Sequence, residues 1–286
     1  MKKFLIKIAV FIAILIVYSG INYMINKTLF DQRGVPLKKV NVLIAGDSHT
    51  GKALNPKFFE AARNISQNAE PFIVTFWKLK YILPEMDIDT LLVGFGHHSI
   101  SAFNDYKFSD KRWSAEMFKR TFPIQNFQAL KRVPVDFNRF YSIYFRNMCL
   151  YPNPDQYKFL GRFENYDFSD ISNTDIVIGR HYYLYGEDMG VSETSIAYLD
   201  SIVNLCRQQD IELFLIGSPV TPNYYAEIPA YIRKRFEKEK RRLEAEGVTV
   251  IDMSDNFYKE KYYLDADHLN IKGAEKFTEE VIGNME

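Results

Sequence analysis

The stretch Lys39-Val40-Asn41-Val42-Leu43-Ile44-Ala45-Gly46-Asp47-Ser48 decides the fold. Its apolar, partly β-branched run is too short for a helix and reads as a buried strand that stops at a turn. Two further runs repeat the pattern. Asp89 to Phe95 ends at Gly96-His97-His98-Ser99, and Ile211 to Ile216 ends at Gly217-Ser218-Pro219. Asn64-Ile65-Ser66 and Val248 to Asp252 supply two shorter strands. Helical spacing lies between them, at Pro71 to Leu83, Glu193 to Gln208, Tyr231 to Glu246 and Lys272 to Ile282. Pro56 to Arg63 reads as a short helix with Asn55 as its cap and Pro56 at its first position. In Tyr231 to Glu246, basic residues alternate with Glu at i,i+4, which describes a solvated face. Strands alternating with helices imply a parallel sheet covered on both faces, a three-layer α/β/α domain. Ligands in such folds sit beyond the carboxyl ends of the strands. The clusters Gly46-Asp47-Ser48-His49, Ser66-Gln67-Asn68 and Gly96-His97-His98-Ser99 each follow a strand, so one site is expected there.

The alternation breaks from about 101 to 187, a stretch rich in Phe, Tyr, Asn and Asp with poor periodicity. An excursion this long is expected to be a loop-rich insertion, either a cap over the site or an irregular segment packed by its own aromatics.

Lys2, Lys3 and Lys7 precede an uncharged run from Ile8 to Ile25, which at ~1.5 Å per residue nearly spans a ~30 Å hydrocarbon core. The reading is an uncleaved transmembrane signal anchor over 1–27 and a linker over 28–37. The domain then occupies 38–286. A signal peptide cleaved near Val17-Tyr18-Ser19 is the rival. Lys27, Arg33, Lys38 and Lys39 follow the span and blur the positive-inside bias. A short basic head before an apolar run still places the domain outside the cytoplasm at the cell membrane, in a periplasmic location; a cytoplasmic domain is the alternative.

The whole chain of 286 residues carries 36 basic and 36 acidic side chains, and 47% of it is hydrophobic. That balance allows a sizeable core and excludes a polyanionic partner, so no nucleic acid is expected. Cys149 and Cys206 show no metal-binding spacing. Cys206 falls on a helix and reads as a buried thiol, with a Cys149–Cys206 bridge left open.

A serine hydroxyl becomes a nucleophile only when a base takes its proton and a third group orients that base. Ser48 sits on a sharp strand-to-helix turn. Near the other end, Asp265-Ala266-Asp267-His268-Leu269-Asn270 precedes Gly273. Asp265 can reach one nitrogen of His268 while the other faces Ser48. Asn270 would cap the last helix, and Gly273 would let it pack closely.

Gly46-Asp47-Ser48 together with Asp265-x-x-His268-x-Asn270-x-x-Gly273 resembles the first and last blocks of the SGNH, or GDSL-like, hydrolase superfamily. The likeness runs from about Lys38 to Glu286, with the insertion unmatched. It implies the flavodoxin-like fold of that family and catalysis by Ser48, His268 and Asp265 without cofactor. Two middle blocks depart from the pattern. The family has a Gly after its second strand, where this chain has Asn64-Ile65-Ser66-Gln67-Asn68. It has an Asn in Gly-x-Asn after its third, where this chain has Gly94-Phe95-Gly96-His97-His98-Ser99. The oxyanion donors are therefore expected from Ser48, with Ser66 or Gln67 and with His97 or His98 as substitutes. His97 and His98 read equally as helix caps, His49 as a pocket-lining residue or, more readily, a surface one, Asp47 as a turn-bonding residue and Asp267 as a turn residue beside the working carboxylate. The neighbouring histidines raise a metal site, but no acid stands at ligand spacing, so no metal is expected.

The resemblance implies an anchored serine esterase or O-acyltransferase acting on acyl, above all acetyl, esters of an envelope polysaccharide. The substrate is a carbohydrate or lipid ester, and a multi-pass membrane acyltransferase is the partner implied for transfer. The alternative is a non-catalytic binding or assembly factor on the same fold, as the altered oxyanion blocks would suit.

Overall fold

The computed structural model describes residues 1–32, 40–121, 127–152 and 160–285. A long helix α1 (Lys2–Gln32) is followed by β1 (Val42–Ala45), α2 (Ser48–Ala53), β2 (Ala62–Asn64), α3 (Phe72–Ile82) and β3 (Thr90–Gly94). Next come α4 (Phe103–Tyr106), α5 (Ser114–Arg120), α6 (Phe127–Leu130), α7 (Phe137–Cys149) and α8 (Thr174–Tyr182). A hairpin of β4 (Tyr183–Leu184) and β5 (Glu187–Asp188) leads to α9 (Glu193–Gln208), β6 (Glu212–Gly217) and α10 (Pro222–Glu227). The chain closes with α11 (Ala230–Ala245), β7 (Thr249–Asp252) and α12 (Ile271–Met285).

The main sheet has the order β2-β1-β3-β6-β7, and every neighbouring pair is parallel. Val42 pairs with Ala62 on one side and Thr90 on the other, and Gly217 pairs with Asp252 at the far edge. Side chains alternate between faces. Leu43, Leu91, Val93, Leu213 and Leu215 join the core beneath α3 and α9. Ile44, Leu92, Phe214, Ile216 and Ile251 join a second core with Phe277 and Val281 of α12. Both faces are buried, which is why the strands read as continuous apolar runs. From β1 the chain winds one way to β2 and the other way to β3. That reversal opens a crevice at the carboxyl ends of β1 and β3.

The short helix expected over Pro56 to Arg63 is instead a single 3₁₀ turn at Pro56–Phe58, followed by β2. Asn55 caps it as expected, accepting from the Lys57 amide, but Ala61 adopts φ +51°, which no helix tolerates. The strand expected at Asn64-Ile65-Ser66 accordingly begins earlier, at Ala62.

The stretch 101–187 is more helical than expected. On α7 the buried residues Phe140, Ile143, Asn147 and Met148 follow helical spacing, and one of them is polar, which hides the period. Phe118 of α5 meets Phe140 edge-to-face at 4.9 Å. Phe108, Met117, Leu130 and Val133 enter the same core as β1 and β3, so the insertion is part of the domain's packing.

Helix α1 carries 28 residues, Lys2–Leu29, long and apolar enough to cross a membrane. It is longer than the span read from sequence and continues into the expected linker, whose residues from 33 onward lie outside the described residues. Its distal half touches α7. Buried Asn26 donates to the Met148 and Tyr151 carbonyls, both at 2.9 Å, and the Tyr18 hydroxyl donates to Leu150 O at 2.6 Å. These bonds satisfy carbonyls that the end of α7 leaves without helical partners. Cys149 and Cys206 are both free thiols, Cys206 buried on α9.

Candidate active site

The β1–α2 turn is built on Gly46, packed against Gly94 at the end of β3. Gly46 has φ +143°, and a Cβ there would lie 2.6 Å from Thr50 Oγ1 and 3.2 Å from the Gly94 amide. Asp47 caps α2 by accepting from the His49 amide at 2.9 Å. Ser48 is thus the first residue of α2, and its own amide is one of the first-turn N–H groups with no intrahelical acceptor.

The second half of the site is a tight turn before α12. Tyr263 bridges to Leu269, and the Leu264 amide donates to His268 O at 2.8 Å. Thr221 holds the turn from outside by donating through its hydroxyl to Ala266 O at 2.8 Å. Asn270 accepts from the Gly273 amide at 3.0 Å, the cap expected of it. A Cβ on Gly273 would come within 2.1 Å of Tyr262 O, so only glycine lets α12 start this close.

These two turns bring Ser48, His268 and Asp265 together. His268 Nε2 is 2.8 Å from Ser48 Oγ, and its Nδ1 is 2.8 and 3.0 Å from the two Asp265 oxygens. With Nδ1–H donating to Asp265, Nε2 is free to accept from the serine hydroxyl. Burial alone would lower the His268 pKa, but the charge of Asp267 and the bond and charge of Asp265 outweigh it and raise it.

Asp267 is more than a turn residue. Its side chain is 1% exposed, its Oδ1 lies 3.3 Å from His268 Nδ1, and its Oδ2 accepts from His49 Nε2 at 3.1 Å. Burial would raise its pKa, yet His268, His49 and His181 around it pull it well below the usual carboxylate range. His49, for which a surface position is the readier expectation and pocket lining the alternative, is buried, lines the cavity and stacks on His98 at 3.9 Å. Burial and the neighbouring His98 push His49 down to about 4. His181, unforeseen from sequence, lies on α8 with Nδ1 2.7 Å from the Tyr224 hydroxyl, and burial takes its pKa well below normal.

The substitute oxyanion donors are not placed as expected. The Ser66 amide donates to Asn64 Oδ1 at 2.9 Å, and the Gln67 amide donates to Gly46 O at 3.0 Å. Both residues line a neighbouring cavity with Arg120 and Arg162. His98 does line the cavity at Ser48, but its Nε2 donates to Asp47 at 2.6 Å. His97 turns away and stacks on Phe236 at 4.2 Å, with burial lowering it to about 4. From the β2–α3 loop, Asn68 and Ala69 line the cavity that holds Ser48. Ala69 sits at φ +59°, a left-handed conformation that costs a non-glycine residue about 1 kcal/mol or more and clusters at functional sites.

The cavity over Ser48 measures about 200 Å³. Ser48, His268, His98 and Lys52 line it, together with Phe103, Lys107, Trp113, Arg180 and His181 from the insertion. Among the described residues one grouping could hold a metal ion: His49, Asp267 and His268 offer ligand atoms within 4.8 Å of one another. The acidic partner missing from the sequence reading is therefore present as Asp267. The fit is poor, because those atoms already bond to one another, to Asp265 and to Ser48.

A protein-family model that carries no functional description matches residues 186–285. No curated protein matches the chain. Among solved structures it is similar to a protein from Streptococcus pneumonia described as a putative platelet activating factor. That match has 11% identity and a TM-score of 0.44, covering 98% of this chain and 99% of that one. A GDSL-like lipase from Bacteroides thetaiotaomicron matches at 10% identity and a TM-score of 0.43, over 92% and 97% of the two chains. A lipase/acylhydrolase from Enterococcus faecalis matches at 12% and 0.40, over 86% and 95%. At this distance the reading of the site rests on its own geometry.

Proposed function

We propose that this chain is a membrane-anchored serine esterase or O-acyltransferase of the SGNH type. Ser48 attacks the ester carbonyl, His268 takes the serine proton and delivers it to the leaving alkoxide, and Asp265 holds the imidazole tautomer. Water then releases the acyl group from Ser48, or an acceptor hydroxyl takes it. One observation carries the reading: Ser48 Oγ, His268 and Asp265 stand in hydrogen-bonded sequence at 2.8 Å and 2.8 Å. The amide of Ser48 and the Asn68–Ala69 segment are the oxyanion donors of this reading, since the Ser66 and Gln67 amides already have acceptors.

A short acyl ester, acetyl above all, on an envelope polysaccharide is the substrate we favour. The small cavity suits a short acyl group, Phe103 and Trp113 suit a sugar face, and α1 would hold the domain at an extracytoplasmic membrane surface. A multi-pass acyltransferase as acyl source belongs to the transfer version of this proposal. The non-catalytic alternative draws on one observation, the engagement of His98 with Asp47 in place of a free side-chain donor.

Labelling with a fluorophosphonate probe and acetate release from p-nitrophenyl acetate test the proposal. Wild type should label and turn over, and Ser48→Ala should do neither. A folded wild type that fails to label, or equal rates in the two proteins, would leave the binding-factor reading.

A further inference from the structure

The cavity over Ser48 holds more positive charge than esterase chemistry on a neutral substrate requires. Lys52, Lys107 and Arg180 line it, against a single carboxylate, Asp47. Asp47 is already occupied by His98 Nε2 and the His49 amide. No carboxylate lies within 4 Å of Lys107 or Arg180 among the described residues, although Asp47 and Glu70 act on Lys107 from further off.

Lys107 is the informative residue. Its side chain belongs to a residue only 3% exposed, a position where an ammonium without a counterion costs several kcal/mol. Its Nζ donates to Asn104 Oδ1 at 2.7 Å and lies 4.5 Å above the Phe103 ring. Asn104 has no freedom in this. Its Nδ2 is bonded to the carbonyls of His98, Ser99 and Ser101 at 2.9 to 3.1 Å, so its oxygen is held toward the lysine. The lysine is thus positioned by a rigid amide, and its remaining donors have no protein acceptor among the described residues. Burial lowers its pKa to about 7, the direction expected of a cation kept without its own counterion.

We infer that Lys107 and Arg180, together with Lys52, form an anion-binding subsite, and that the ester substrate carries a carboxylate or phosphate beside its scissile bond. This deepens the esterase reading and rests on it for the word substrate, but binding of the anion does not depend on turnover. Bidentate contact from Arg180 and a point charge from Lys107 are the complementary ways these side chains hold such groups.

The test uses full-length Ser48→Ala protein in detergent micelles, which lacks the nucleophile and cannot consume the probe. Isothermal titration would compare monomethyl phosphate, monomethyl succinate and the neutral dimethyl succinate. At least one anion should bind tenfold or more tightly than the neutral ester, and the tighter anion names phosphate or carboxylate as the group recognised. Lys107→Met added to Ser48→Ala should weaken that anion at least tenfold. Arg180→Gln, at a half-buried position, repeats the test if Lys107→Met does not fold by circular dichroism. Anions binding no better than the neutral ester, or affinities unchanged in the folded variants, would overturn the inference. Fluorophosphonate labelling of wild type reports separately on the esterase reading, so either can fail alone.

Discussion

Asp265→Ala is the perturbation whose outcome depends most on this particular site. In a triad with one acid, neutralising it costs on the order of 10⁴ in rate, because the imidazole loses both its tautomer and its counter-charge. Here His268 Nδ1 has a carboxylate oxygen of Asp267 at 3.3 Å besides that of Asp265 at 2.8 Å. Removing Asp265 deletes the aligned bond but leaves a buried negative charge almost as close. The loss should then approximate one charge-assisted hydrogen bond, about 1.5–3 kcal/mol, which corresponds to roughly ten- to a hundredfold in rate. The double variant Asp265→Ala/Asp267→Ala should fall by the full order of 10⁴. The assay is kcat/KM on p-nitrophenyl acetate, with circular dichroism to confirm folding. If Asp265→Ala alone reaches the full loss, or the double variant is no worse than the single, the reasoning about a second carboxylate is wrong.

The remaining predictions concern protons and packing. His268 must be neutral to accept the serine proton, and its pKa is raised, so the acid limb of kcat/KM should lie above the ordinary imidazole value of 6.5. Asp267→Asn removes the largest favourable charge and should move that limb to lower pH; a limb that stays in place counts against the assignment. His49 and His97 are held neutral by burial, each near 4, so the unfolded chain binds their protons first. Stability from these two is complete above about 6.5 and is lost as pH falls toward 4. In urea titrations His97→Phe should flatten that decline, and an identical pH slope would contradict it. Within α12, Gly273→Ala should destabilise by roughly 2–4 kcal/mol through its clash with Tyr262 O. Gly283→Ala in the same helix meets nothing within 4 Å and should be neutral or gain up to about 1 kcal/mol. Thermal melts of the two proteins separate close packing from helix propensity, and similar shifts would refute it.

The sheet was legible because each strand is buried on both faces, so Leu43-Ile44, Leu91-Leu92-Val93 and Leu213 to Ile216 are uninterrupted by polar residues. Ser48, Asp265 and His268 were legible because their turns are local and end at glycine or asparagine. The insertion was opaque for the opposite reason. Its helices bury mixed sets such as Phe140, Ile143, Asn147 and Met148, whose polar member breaks the period. Lys107, Arg180 and His181 reach the cavity from that insertion, and nothing local in the sequence announces it. Asp267 reads as a turn residue from sequence, and His49 as surface or pocket, because burial decides their role. A carboxylate next to a catalytic-looking histidine looks like a turn residue until its 1% exposure and its bond to His49 are known. The proposed oxyanion segment, Asn68 and Ala69, lies just beyond Ser66 and Gln67, and its place at the cavity depends on where β2 ends.

The charge layout makes a stronger case for acyl transfer than the three residues taken alone. In the proposed attack by Ser48, positive charge would develop on His268 and negative charge on the carbonyl oxygen. Asp265 and Asp267 stand behind the imidazole, while Lys52, Lys107 and Arg180 line the side open to substrate. Fixed charges so arranged lower the energy of that ion pair without reorganising, the usual source of catalytic stabilisation. His49 and His181 lie in the same cluster but are neutral through burial, so they add no competing positive charge beside His268. A protein that only bound its ligand would gain nothing from raising the basicity of a histidine that accepts from a serine hydroxyl. The same layout gives the anion on the substrate a second function: drawn to Lys107 and Arg180, it would orient the ester carbonyl toward Ser48. Weak turnover of neutral p-nitrophenyl acetate beside faster turnover of an anionic ester is therefore the pattern this cavity should produce.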